Sequence, residues 1–217
     1  RAQELLCLLL LQRRPQTRDA LASLLWPDQP ISRSRQYLRK ALWQLQAGLQ
    51  AMGRPAPCLQ SGQDMVSLDC GACVSVDAWR FETAVLAARD QPGRELSASQ
   101  AEGLRSALDL YRDELLSGWC QDWCLVERER FELMFFTAVD KLIMFCEAHR
   151  EFEAGIAYGQ AALAHDRARE HTHRALMRLY YLSGDRTAAL RQFQRCVAAL
   201  QEELDVGPAA QTLALLE

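Results

Sequence analysis

Thr17-Arg-Asp-Ala-Leu-Ala-Ser-Leu-Leu-Trp-Pro-Asp28, followed by Ser32-Arg-Ser-Arg-Gln-Tyr-Leu-Arg-Lys-Ala-Leu-Trp-Gln-Leu45, decides the fold of the first part of the chain. The Thr17 hydroxyl can accept from an orphan backbone N–H at a helix start, so a helix is expected over 18–25 with Ala20, Leu21, Leu24 and Leu25 on one face. Pro27 disfavours helix in Trp26 and forces a turn. Ser32 is then expected to cap a longer helix running to about Leu49, whose Leu38, Ala41, Leu42, Leu45 and Leu49 fall within about 100° of arc and pack inward. Helix, tight turn and second helix make a helix-turn-helix pattern.

The outward face of the second helix is not an ordinary solvated surface. Arg33, Gln36, Lys40 and Trp43 cluster there, with Arg39 and Gln44 on its flanks. No acidic residue occurs between Asp28 and Asp64. An exposed helix usually mixes signs, so the missing carboxylates are informative.

Upstream, residues 2–12 read as an apolar helix ended by Arg13-Arg14-Pro15. Downstream of Pro55-Ala56-Pro57 the period becomes that of a hairpin: Cys58-Leu59-Gln60, a turn at Ser61-Gly62-Gln63-Asp64, then Met65-Val66-Ser67-Leu68. Three helices and a short β-hairpin wing predict a winged helix over residues 1–70. Residues 1–57 carry nine Lys/Arg against three Asp/Glu, net +6, while the remaining 160 residues carry 16 against 25, net −9. This basic head on an acidic body points to a chain that grips a polyanion at one end.

Beyond residue 75 every strong pattern is helical, with breaks expected near 91–97, 116–122, 149–152, 165–168 and Gly184. Arg150–Leu163 aligns with Gly184–Val197 at an offset of 34, the tetratricopeptide period. Small residues recur together (Gly155 with Ala189, Ala162 with Cys196), as do aliphatic ones (Ile156 with Leu190, Leu163 with Val197, Leu142 with Leu176). Residues 75–217 are therefore expected to stack as paired helices.

The same inventory argues against catalysis. There is no Gly-rich phosphate loop, no His-Glu-x-x-His and no Gly-x-Ser-x-Gly, so no enzyme, cofactor or metal is expected. Cys70-x-x-Cys73 and Cys120-x-x-x-Cys124 do not form matching pairs, and Cys7, Cys146 and Cys196 fall in helical patterns, so all eight thiols are expected to be free. His171 and His173 point about 200° apart on a helix. With His149 and His165 they read as surface or groove residues, and the Glu127–Glu132 stretch reads as a solvated face. No apolar run reaches membrane-spanning length, and a soluble, cytoplasmic protein without membrane contact is expected. The chain opens on Arg1, already within a helical pattern, and is expected to continue upstream.

The residues then point to DNA. Arg33 and Lys40 can donate to guanine O6 and N7, Gln36 can pair with adenine, and Arg35, Arg39, Thr17 and Arg18 are placed for phosphate. Trp43 abuts phosphates, packs under the wing or lies at an interface; Gln44 flanks it. The wing carries no Lys or Arg between Cys58 and Leu68, so it adds little electrostatic grip.

Thr17–Asp28 and Ser34–Leu45 resemble the winged-helix module of the SARP family of bacterial activators. The second half resembles the bacterial transcriptional activator domain that follows it there, over Val76–Glu82, Leu110–Gly118, Asp122–Arg130, His173–Leu179 and Glu202–Pro208. The resemblance implies a mainly α protein: an OmpR-like winged helix-turn-helix followed by a tetratricopeptide-like α-helical repeat domain. It also implies binding to direct-repeat promoter DNA, with residues 32–49 as recognition helix, and recruitment of RNA polymerase. The family's small sheet ahead of the first helix is expected to have no counterpart within residues 1–217. The helical body is expected to mediate protein contacts, a homodimer among them. The alternative is an interaction or sensor module that does not bind DNA, with a protein or small effector in the helical groove.

Overall fold

A three-stranded antiparallel sheet, rather than a lone hairpin, closes the first part of the chain in the computed structural model, which describes residues 1–51, 58–69 and 74–216. Pro55-Ala56-Pro57 and Cys70-x-x-Cys73 lie outside the described residues. The chain divides into two compact units, Arg1–Trp79 and Arg80–Glu217.

In the first unit, α1 (Ala2–Gln12) buries Leu5, Leu8, Leu9 and Leu11 and ends on Arg13 in the left-handed region. Pro15 follows, and β1 (Gln16–Thr17) pairs antiparallel with β3 (Met65–Leu68), placing Gln16 opposite Val66. β2 (Leu59–Ser61) pairs on the other side of β3, giving the order β1-β3-β2. A two-residue strand leaves no alternation to read, so β1 is visible only through its partner. Trp79 ties the end of this unit to its beginning: its indole N–H donates to Leu10 O at 2.7 Å, with the Arg13 guanidinium 5.0 Å above the ring.

α2 (Arg18–Leu25) begins as expected, with Thr17 Oγ1 accepting from the Ala20 N–H at 3.1 Å. Its buried face is rotated, however, to Leu21, Ala22 and Leu25, leaving Ala20 and Leu24 exposed. α3 (Ile31–Ala51) starts one residue ahead of Ser32, because Pro30 O already accepts from the N–H groups of Arg33 and Ser34. Its inward stripe is Ser34, Leu38, Ala41, Leu42 and Leu45, with Leu49 only half-buried.

The second unit contains α4 from Arg80 onward (Asp77–Ala87 in full), a 3-10 turn (Gly93–Glu95), α5 (Ala98–Leu108), α6 (Asp122–His149), α7 (Phe152–His165), α8 (Glu170–Leu182), α9 (Arg186–Leu204) and α10 (Ala210–Leu213). Links of two to four residues between α6, α7, α8 and α9 force neighbouring helices to run antiparallel. Two 34-residue pairs are fully buried, Leu142 with Leu176 and Ala162 with Cys196. Leu190 is instead 46% exposed, and Leu163 and Val197 are half-buried, so those positions do not fill the core.

Two further expectations are corrected. α5 stops at Leu108, and residues 109–121 form no helix; Arg128 holds that stretch by donating to the carbonyls of Leu115, Leu116 and Trp119 at 3.0–3.1 Å. Glu127 is buried and paired with Arg130, which also binds Glu82, so it is not part of a solvated face. His173 is buried: its Nε2–H donates to Arg167 O at 2.9 Å, and its Nδ1 meets Gln192 Nε2 at 2.7 Å. A backbone carbonyl only accepts, so that pair of contacts fixes the Nε2–H tautomer.

Around α6 the core is aromatic. Phe81 stacks on Phe131, and Tyr111 stacks on Phe135 with centroids 4.6 Å apart. Burial pushes the Tyr111 hydroxyl up to about 12 from an ordinary value of 10, assisted by Glu132 and Glu114. The unfolded phenol therefore releases its proton first as pH rises past about 10, and stability falls until about pH 12. Alkaline unfolding followed beside Tyr111→Phe is expected to show a shallower loss in the variant.

The 3-10 turn lies directly on α6: a Cβ at Gly93 would sit 2.5 Å from Lys141 O and 2.8 Å from its Cα. Backbone cannot step aside as a side chain can, so Gly93→Ala is expected to lower stability by about 1–3 kcal/mol in urea titrations. Gly103 lies within α5, where an added Cβ would meet nothing within 4 Å, and Gly103→Ala is expected to stabilise by about 0.5–1 kcal/mol.

Candidate nucleic-acid interface

Burial of one stripe of α3 leaves the opposite stripe to solvent. Arg33, Arg35, Gln36, Arg39, Lys40, Trp43 and Gln44 are all exposed, Trp43 to 69%. That exposure removes the reading in which Trp43 packs beneath the hairpin. Arg33, Gln36, Arg39, Lys40, Trp43 and Gln44 make no side-chain hydrogen bond or ion pair among the described residues.

The remaining three candidates already have partners within the unit. Thr17 spends its acceptor on the α2 N-terminus. Arg18 donates from Nε to Gly62 O at 3.0 Å and from Nη2 to Ser61 Oγ at 2.7 Å, so it braces the hairpin turn. Its backbone N–H also donates to Asp64 O at 2.9 Å. Arg35 forms a two-pronged pair with Asp19, Nε to Oδ1 and Nη2 to Oδ2, each at 2.6 Å. The Arg35 hydrogen bonds hold the Asp19 carboxyl below its usual range.

A cleft of about 520 Å³ brings Thr17, Arg18, Arg35 and Arg39 together with Asp19 and Asp64. Gln36, Lys40, Trp43 and Gln44 do not line it; they continue along the exposed side of α3. Two contributors were not singled out from sequence. Ser34 turns its hydroxyl into the α2–α3 turn, 3.3 Å from the carbonyl oxygens of Trp26, Gln29 and Pro30, and fixes how α3 enters. Asp19 carried only the signal of an acid in a helix first turn. Its pairing spans 16 residues, a separation no helical spacing predicts.

In the second unit, a groove of about 330 Å³ runs between α7 and α9 over Gln160, Leu163, Arg167, His173, Gln192 and Arg195. A second, of about 450 Å³, lies beside Met177, Tyr181, Arg186, Leu190 and Leu215. Among the described residues no group of three or more His, Cys, Asp or Glu side chains is placed to hold a metal ion, and Cys120 and Cys124 are unbridged. No helix among them is long and apolar enough to cross a membrane.

The sequence profile of the bacterial transcriptional activator domain matches residues 76–217. The chain belongs to that family. Family membership makes the helical body a bacterial transcriptional activator domain, and both grooves and the buried His173–Gln192 pair lie within this activator domain. Among curated proteins no sequence matches the chain. Among solved structures, Mycobacterium tuberculosis EmbR in complex with a low affinity phosphopeptide shares the fold at a TM-score of 0.77 and 24% identity. That match covers 99% of this chain and 57% of the EmbR chain, so the present chain spans little more than half the length of its structural relative.

Removing the Thr17 hydroxyl leaves an α2 N–H unsatisfied. Thr17→Ala is expected to lower stability by about 1 kcal/mol, read from the urea midpoint.

Proposed function

We propose that this chain is part of a SARP-type transcriptional regulator whose first unit is an OmpR-like winged helix that binds promoter duplex DNA through α3. The observation that carries the reading is the outward face of that helix. Arg33, Gln36, Arg39 and Lys40 are exposed and unpartnered among the described residues, on a 21-residue helix that contains no carboxylate. A buried or docked face would have its cations neutralised, whereas a polyanion site needs them available.

In this reading Arg33, Gln36 and Lys40 meet base edges, while Arg39 meets phosphate and sets the register. Trp43 and Gln44 extend the contact along α3. The tetratricopeptide-like activator domain makes the protein contacts, with RNA polymerase and with a second copy as its partners. The proposal involves no catalytic step and no cofactor.

Lys40→Ala is expected to weaken binding to duplexes selected from a random library by about 1–3 kcal/mol, measured by mobility shift. Binding of the unaltered chain should fall steeply with salt, its log–log slope set by the number of phosphates neutralised. Absence of any salt-dependent duplex binding would sink the proposal and leave the α7–α9 groove, as a protein or effector site, the stronger reading.

A further inference from the structure

Arg35 stands on the candidate DNA face, yet both prongs of its guanidinium are already occupied by Asp19. A carboxylate and a phosphate offer a guanidinium the same pair of oxygens, so Asp19 fills the place a backbone phosphate would take. Asp19 also lies in the first turn of α2, where the helix dipole favours an anion. Both local attractions for a phosphate, the fork and the helix start, are thus satisfied from within the chain.

Stability does not account for this pair. Its two side chains are 55% and 56% exposed, and ion pairs of that kind contribute little. The packing of α2 and α3 rests instead on Leu21, Ala22 and Leu25 in one helix and Leu38, Ala41 and Leu42 in the other, all buried.

We infer that Asp19 is an internal counter-anion that suppresses non-specific DNA binding by withholding Arg35. The inference rests on the DNA-binding reading. A duplex that engages Arg35 must displace the carboxylate and leave it facing the polyanion. An arbitrary sequence supplies no compensating base contact, so on such DNA Arg35 stays on Asp19. Asp19 is therefore a specificity-determining residue that acts through Arg35.

The test measures mobility shifts of the full chain on a 25-base-pair duplex of arbitrary sequence over about 50–200 mM salt. Asp19→Asn should raise affinity about threefold to tenfold near 100 mM and steepen the salt slope by about one, the contribution of one more neutralised phosphate. Arg35→Ala placed in the Asp19→Asn background should remove both gains, and Asp19→Glu should behave as the unaltered chain. A purely structural pair predicts a lower melting temperature for Asp19→Asn with the slope unchanged, which overturns the inference and leaves DNA binding standing. Failure of every variant to bind the duplex overturns both.

Discussion

Burial of a single stripe of α3 is the constraint on which the first unit depends. Leu38, Ala41, Leu42 and Leu45 cannot leave the core without exposing four apolar side chains. At about 1.5–3 kcal/mol for a fully buried large aliphatic side chain, that stripe outweighs any surface ion pair in the unit. Once it faces inward, helical geometry decides that Gln36, Lys40 and Trp43 face outward. The candidate interface is therefore the obligatory other side of a core.

What surrounds that helix tunes its charge. The Ser34 hydroxyl closes the α2–α3 turn, and Arg18 is spent on the hairpin at Ser61 and Gly62. Arg35 is held by Asp19. Of the basic side chains grouped at this corner, only part remains available to an outside anion. The net +6 of residues 1–57 thus overstates the field that a ligand meets. Counting charges along the chain treats each as free, whereas folding neutralises some of them pairwise.

In the activator domain the corresponding constraint is close approach. Gly155 and Gly159 let α7 settle against Leu179 and Leu176, where a Cβ would come within 2.9 and 2.6 Å of those side chains. The buried His173 and Glu127 each have partners, His173 with Arg167 O and Gln192, and Glu127 with Arg130. The Asp140–Arg169 pair, bonded at 2.9 and 2.7 Å, links α6 to the start of α8. These contacts give the helical stack its order without leaving buried charges unpaired.

The sequence by itself determined the elements whose signals are local: the Thr17 cap, the turn at Trp26-Pro27, the α3 stripe and the hairpin. Each rests on interactions within a few residues or on the period of one helix. It misjudged the α2 face at Ala20 and Leu24, the end of α5, and the environment of Glu127, because tertiary neighbours set burial at those positions. Of the candidate site, the outward row Arg33, Gln36, Arg39 and Lys40 was legible from helical spacing. The strand at Gln16–Thr17, the bracing of Arg18 and the pairing of Arg35 were decided only by the tertiary structure. Hydrogen bonds and ion pairs between groups 16 to 50 residues apart exist only once the chain has folded back on itself, and no local pattern encodes them.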